Sequence, residues 1–232
     1  MKKIGIIGAM EVEVKRLKEQ MNLIRVLNKA SMEFYEGTYL NKEIVVVRSG
    51  IGKVNAAICA QILIDEFQVE AIINTGIAGG LHDDIEIGDI VISKDVLQHD
   101  MDATGFGYGL GVIPQMSCST FEADEELVTL ASSLCEELNS DIRTHVGRVV
   151  TGDQFISSKE KKLWLRENFA GYCAEMEGAA IAQVAYLNQI KFVIIRAISD
   201  KADSTACADY PQFEAKAADH AVTLVNGMLK EM

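Results

Sequence analysis

Apolar residues in this chain come in short clusters whose spacing switches between two periods. Residues 3–8 form a β-branched run that meets a glycine, and residues 11–21 then carry Val14, Leu17 and Met21 at helical spacing, which predicts a strand, a turn and a helix. Residues 32–40 and 43–49 read as paired strands around Asn41-Lys42, and 53–67 as a helix with Ala, Ile and Leu on one side. Residues 71–74 and 89–93 are further apolar runs of strand length. Beyond them the pattern predicts helix over 122–138, strand over 144–150, helices over 158–168 and 176–187, strand over 191–199, and a closing helix over 212–229.

Strands that alternate with helices imply an α/β fold, a three-layer αβα sandwich around a central mixed β-sheet. No internal repeat or low-complexity linker interrupts the pattern, and 232 residues fit one domain spanning 1–232. Residues 99–119 break the rhythm with four glycines, a proline and aromatics of no regular period. In a compact domain such a length points to a functional loop or an interface arm.

Composition narrows the picture. No apolar run approaches the roughly 18 residues needed to cross a bilayer, and Gly5, Gly8, Glu11 and Glu13 interrupt anything resembling a secretory signal. A net charge of −12 would repel nucleic acid over the whole surface. The run Lys159-Glu160-Lys161-Lys162 reads as a solvated helix face. Five scattered cysteines, odd in number and without a CxxC pair, suggest neither a disulfide framework nor a metal site, and fit a reducing cytoplasm.

Four segments place glycine or a carboxylate at the end of a predicted strand, where open α/β sheets bind ligands. In Gly8-Ala9-Met10-Glu11-Val12-Glu13 the spacing is not GxGxxG, and a carboxylate stands where a pyrophosphate would need positive potential. Glu11 and Glu13 also suit a helix first turn for its dipole alone. Asn74 to Gly80 reads as a turn just after a strand, made either for packing or for close approach to a flat ligand. Glu175 and Glu177 flank Met176 at a helix mouth, placed either to cap it or to grip a diol. Asp200 ends an apolar strand, where it either caps a helix or, partly desolvated, acts as an acid near neutrality.

Taken together and in register, GIIGAMEVEV, SGIGKVNAA, NTGIAGG, HDMDATGFGYGLGVIPQ, TGDQFI, EMEGAAIA and RAISDKAD resemble the motifs of the bacterial methylthioadenosine/S-adenosylhomocysteine nucleosidases. The resemblance runs nearly end to end and implies a nucleoside phosphorylase-like fold. It also implies hydrolysis of the bond between adenine and a 5′-thio-substituted ribose, without metal or organic cofactor, in a homodimer. On that resemblance Glu13 is the base that activates water and Asp200 the acid that protonates adenine at N7. Ser199, the backbone of Ile156 and the ring of Phe155 hold the purine. Met10, Ala78 and Gly79 belong to the nucleoside pocket, Met176 packs beneath the ribose and Glu177 takes its hydroxyls. Arg196 lies near Glu13 and the attacking water, and Phe213 closes over the base. Ile51, Ala103, Phe106 and Pro114 match positions that complete the pocket around the 5′ substituent across the subunit boundary.

Two positions depart from the family pattern: Ile77 replaces a frequent serine, and Ala103 is smaller than the valine of some relatives. Two other activities use a related pocket. A phosphorylase of this superfamily places arginines where Glu13 and Asn74 stand here, so an anion would meet a carboxylate. An aminodeoxyfutalosine nucleosidase shares the adenosine half of the substrate, and the apolar 5′ wall favours a thioether over it.

Overall fold

The computed structural model describes residues 3–139 and 141–232. In chain order its elements are β1 (Lys3–Gly8), α1 (Glu11–Gln20), β2 (Asn22–Lys29), β3 (Met32–Tyr39), β4 (Lys42–Arg48), α2 (Lys53–Phe67), β5 (Ala71–Gly80), β6 (Ile90–Gln98), β7 (Thr120–Glu122), α3 (Glu125–Leu138), β8 (Thr144–Thr151), α4 (Lys159–Phe169), β9 (Cys173–Glu175), α5 (Gly178–Asn188), β10 (Lys191–Asp200) and α6 (Ala206–Glu231).

The strands form one mixed sheet in the order β10-β6-β8-β9-β5-β1-β4-β3-β2, with β7 on β6. Because β10 also pairs with β5, the strands β5, β10, β6, β8 and β9 close into a ring. Helices α2 and α5 bury their apolar sides against one face, and α1, α3 and α6 cover the other. This is the expected αβα sandwich with a mixed sheet. Strand β1 lies between two parallel neighbours and β10 between parallel β5 and antiparallel β6, both under helices on both faces, which is why they read as unbroken apolar runs rather than alternating ones.

Ring closure changes the second of the four candidate segments. The run Asn74 to Gly80 is not a turn after a strand: β5 continues to Gly80, paired in parallel with β10 as far as Gly79 opposite Asp200. Glycine, ordinarily a poor strand former, is kept extended here by those partners. At Gly76 the missing side chain is required by crowding, since a Cβ would lie 2.7 Å from Glu13 Oε1 and 3.3 Å from Arg196 Nη1.

Other elements depart from the sequence pattern in local ways. β2 hairpins onto β3 through Ala30-Ser31, and β3 onto β4 through Leu40-Asn41, one residue before the expected pair; all four turn residues have φ between 48° and 66°, as tight hairpins of this hand require. Glu122, expected to open α3, instead pairs with β6 as the last residue of β7, and α3 begins after Asp124, whose Oδ1 accepts from Leu127 N. Lys162 leaves the solvated face of α4, buried with Nζ donating to Lys201 O at 2.8 Å. α6 starts before the expected boundary and runs through Pro211. Among the described residues no helix is long and apolar enough to cross a membrane.

Candidate active site

The sheet delivers its acidic residues to one place. Glu13 is the third residue of α1 and reaches back to the start of its own helix, where its Oε2 accepts from Met10 N at 2.9 Å. Its Oε1 accepts from Ile77 N of β5 at 3.2 Å. The capping role open to Glu13 from sequence is therefore real, but the same carboxylate faces a cavity and is buried. Burial pushes its pKa upward, against the opposing pull of Arg196 and the N–H groups of Met10, Ile77 and Ala9.

Asp200, at the end of β10, is also buried. Its Oδ1 accepts from Ala202 N at 2.8 Å and its Oδ2 from the Ser199 hydroxyl at 2.9 Å. Burial raises its pKa, and those two donors partly offset the rise. Ala202 stands at φ +51°, folding the chain back so that its N–H meets the carboxylate.

The third carboxylate is Glu177, just before α5. Its Oε1 accepts from Gly52 N at 2.8 Å and its Oε2 lies 4.0 Å from Arg196 Nη2. Burial and then the neighbouring Glu175 push it up to about 7, with Arg196 opposing. Glu175 is not free to grip a diol. Its Oε2 accepts from Glu177 N at 3.1 Å, Gly178 N at 2.7 Å and Arg196 Nη2 at 2.5 Å, and its Oε1 accepts from the Thr151 hydroxyl.

Between these groups lies a cavity of about 370 Å³, the size of a small-molecule site. Glu13, Glu175, Glu177 and Asp200 all line it, and no Lys, Arg or His does so among the described residues. Its remaining wall is largely apolar, with Met10, Ile77, Phe155, Ile156, Met176 and Tyr210 prominent. Such a site suits a neutral, partly flat molecule carrying hydroxyls, and it resists an anion.

The model of the phosphorylase superfamily matches residues 3–230. A 5′-methylthioadenosine/S-adenosylhomocysteine nucleosidase of Bacillus pumilus (strain SAFR-032) is 44% identical over 230 residues, 99% of each chain. The crystal structure of the Neisseria meningitidis enzyme of the same name, in complex with methylthio-immucillin-A, aligns with a TM-score of 0.95 at 37% identity, covering 100% of both chains. The chain belongs to this nucleosidase family. A futalosine hydrolase of Helicobacter pylori strain 26695 also aligns, with a TM-score of 0.94 at 34% identity over 100% of this chain and 98% of that one.

Most positions matched to the nucleosidase family motifs converge. Met10, Glu13, Ile51, Ala78, Gly79 and Phe155 line the cavity, as do Ile156, Met176, Glu177, Ser199 and Asp200. Arg196 lies behind the wall, fully buried between Asn74 and Glu175. Phe213 does not line the cavity; the α6 aromatic there is Tyr210, whose hydroxyl lies 3.2 Å from Met10 Sδ and whose ring meets Phe155 edge-on at 5.9 Å. Burial and the surrounding carboxylates push the Tyr210 hydroxyl up to about 12, so it remains a neutral donor at physiological pH. One helical turn separates the two aromatics, and the sequence held both; only the direction of α6 distinguishes them. Ala103, Phe106 and Pro114 stand outside the cavity on the irregular segment after β6.

Proposed function

We propose that this chain hydrolyses the N-glycosidic bond of 5′-methylthioadenosine and S-adenosylhomocysteine, and also of 5′-deoxyadenosine, releasing adenine and the corresponding ribose. The observation that carries the reading is the cavity lined by four carboxylates and by no cationic side chain among the described residues. A phosphate nucleophile would find no partner there, whereas water needs only a base.

In this mechanism the bond from C1′ to adenine N9 breaks toward a ribosyl cation, and help is needed at both ends. Asp200, whose proton affinity burial raises, delivers a proton to N7, so adenine leaves neutral. Glu13, held by Met10 N and Ile77 N, takes a proton from the water whose oxygen bonds to C1′. Glu177 accepts from the ribose hydroxyls, and Met176 packs beneath the sugar. Phe155 stacks on the purine, with Tyr210 beside it in the place expected for Phe213, and Ser199 and the Ile156 backbone hold its edge. Ala78 and Gly79 follow the ribose and base along β5, and Met10 closes the sugar end. Arg196 acts on Glu13 through its charge. Neither metal nor organic cofactor takes part. A second copy of the chain covers the mouth at Ile51 through Ala103, Phe106 and Pro114, giving a homodimer in the cytoplasm, where the reaction clears by-products of S-adenosylmethionine chemistry and returns methionine sulfur. One domain, 1–232, carries all of this.

The decisive experiment is adenine release from methylthioadenosine by purified protein, with and without added phosphate. Equal release in both, with free methylthioribose, is the expected result. Strict dependence on phosphate would move the chain to the phosphorylases. Release from aminodeoxyfutalosine alone would move it to the activity named for the Helicobacter pylori neighbour.

A further inference from the structure

Arg196 is a fully buried cation without a view of the cavity. Its Nη1 donates to Ile195 O at 3.0 Å and Asn74 O at 3.4 Å. Its Nη2 donates to Asn74 Oδ1 and to Glu175 Oε2, both at 2.5 Å. The terminal N–H groups are thus committed to protein acceptors, and Nε is buried without a hydrogen-bond partner among the described residues. Since Arg196 does not line the cavity, its influence there is carried mainly by the guanidinium's charge.

Two cavity carboxylates face that charge. Glu177 Oε2 is 4.0 Å from Nη2. Glu13 approaches across Gly76, where a single Cβ would touch both its Oε1 and Arg196 Nη1. Glu175 is the closest anion of all and is fixed from four directions. Besides Arg196, it receives the backbone N–H groups of Glu177 and Gly178 and the hydroxyl of Thr151, and Thr151 Oγ1 in turn accepts from Ala179 N at 2.8 Å. On the other side Asn74 is tied down by Nδ2 donating to Ile7 O at 2.9 Å.

From this arrangement we infer that Glu175 is a positioning residue that sets how much of the Arg196 charge reaches Glu13 and Glu177, while holding Glu177 in place through its backbone. Glu175 itself neither accepts from the sugar nor moves a proton. Buried opposite charges at this range favour ionisation of their neighbours strongly. With Glu175 in place the guanidinium is largely neutralised, and Glu13 and Glu177 keep the high proton affinity that burial gives them. A base of that kind takes the proton of water more readily than an ordinary carboxylate. The inference rests on the hydrolytic reading for its kinetic consequence, but not for its electrostatics.

The test is the pH dependence of kcat/KM for adenine release. In Glu175→Gln the Arg196 charge is unmasked, so the acid limb should move to lower pH by about one unit, with a lower plateau. Glu175→Asp keeps the charge and should restore the limb toward its original position. Asn74→Asp adds an anion against Arg196 and should move the limb the other way, which also guards against a Glu175→Gln chain that fails to fold. A purely structural role would scale the rate without moving either limb, and that result would overturn the inference. Should the wild-type protein cleave no nucleoside, the proposed function fails, and the inference is then read from the ¹³C carboxyl titrations of Glu13 and Glu177. Their midpoints must fall in Glu175→Gln and rise in Asn74→Asp; unchanged midpoints would overturn it.

Discussion

At the floor of the cavity, Glu13, Glu177 and Asp200 are between 2% and 6% exposed, and each accepts at least one backbone N–H. At the mouth, Ile51 and Phe155 are about half exposed, and Phe106, outside the cavity on the segment after β6, is 88% exposed. The floor is finished within one chain, its polar groups desolvated and oriented in advance, as electrostatic catalysis requires. The mouth presents apolar surface to water, an arrangement that stores the gain of burying it for whatever arrives there. The two regions thus differ in burial and in hydrogen bonding, and each is open to a separate challenge.

The strongest challenge to the floor is Asp200→Asn. The amide keeps the shape and accepts from Ala202 N, but it has no proton to give to a leaving base, so adenine release should fall about a thousandfold or more while nucleoside binding, followed by calorimetry, persists. A rate within tenfold of the parent would remove Asp200 from the mechanism.

A second challenge asks what the floor costs the fold. The folded-state pKa of Glu177, about 7, lies above its ordinary 4.5. A group raised in this way contributes full stability below its unfolded pKa and loses it as pH rises through the folded value. Glu177→Gln, which cannot ionise, should therefore be more stable than the parent at pH 8, by about 1–3 kcal/mol. In urea unfolding the advantage should shrink toward zero near pH 4.5. Equal stabilities at both pH values would mean that the buried carboxylate carries no such burden.

The mouth is probed by Phe106→Ala. If a second copy buries that ring, its removal should weaken self-association in sedimentation and raise KM for methylthioadenosine by roughly tenfold, with kcat affected less. A change in kcat alone, with association intact, would separate Phe106 from both roles.

The floor was also the more legible region in the sequence. Glycines and carboxylates at or just past strand ends are unusual enough to stand out: Asp200 ends β10, Glu177 lies between β9 and α5, and Glu13 is in the first turn of the helix that follows β1. What escaped was whatever depends on pairing between distant segments. The run after Asn74 looked like a turn because glycines usually break strands, and only β10 alongside keeps it extended. Residue chemistry alone does not separate Glu175 from Glu177; the family resemblance names Glu177, and in the structure Arg196 and Thr151 take up Glu175. Strand β2 gave no clear signal because Leu23, Ile24 and Val26 are exposed rather than alternating into the core, and β9, three residues long, is too short for any period to show.

Pro211 has no N–H, so the carbonyl of Cys207, four residues earlier in α6, receives no helical hydrogen bond from it. The turn that carries Tyr210 thereby lacks one rung of the helical ladder. It is also held by the ring's own contact with Phe155 and its hydroxyl at Met10. Fraying of this turn and opening of the cavity's aromatic wall are then one event, and the amides from Ala208 to Tyr210 should exchange with solvent faster than those past Ala217, by a margin that narrows once a purine lies against Phe155.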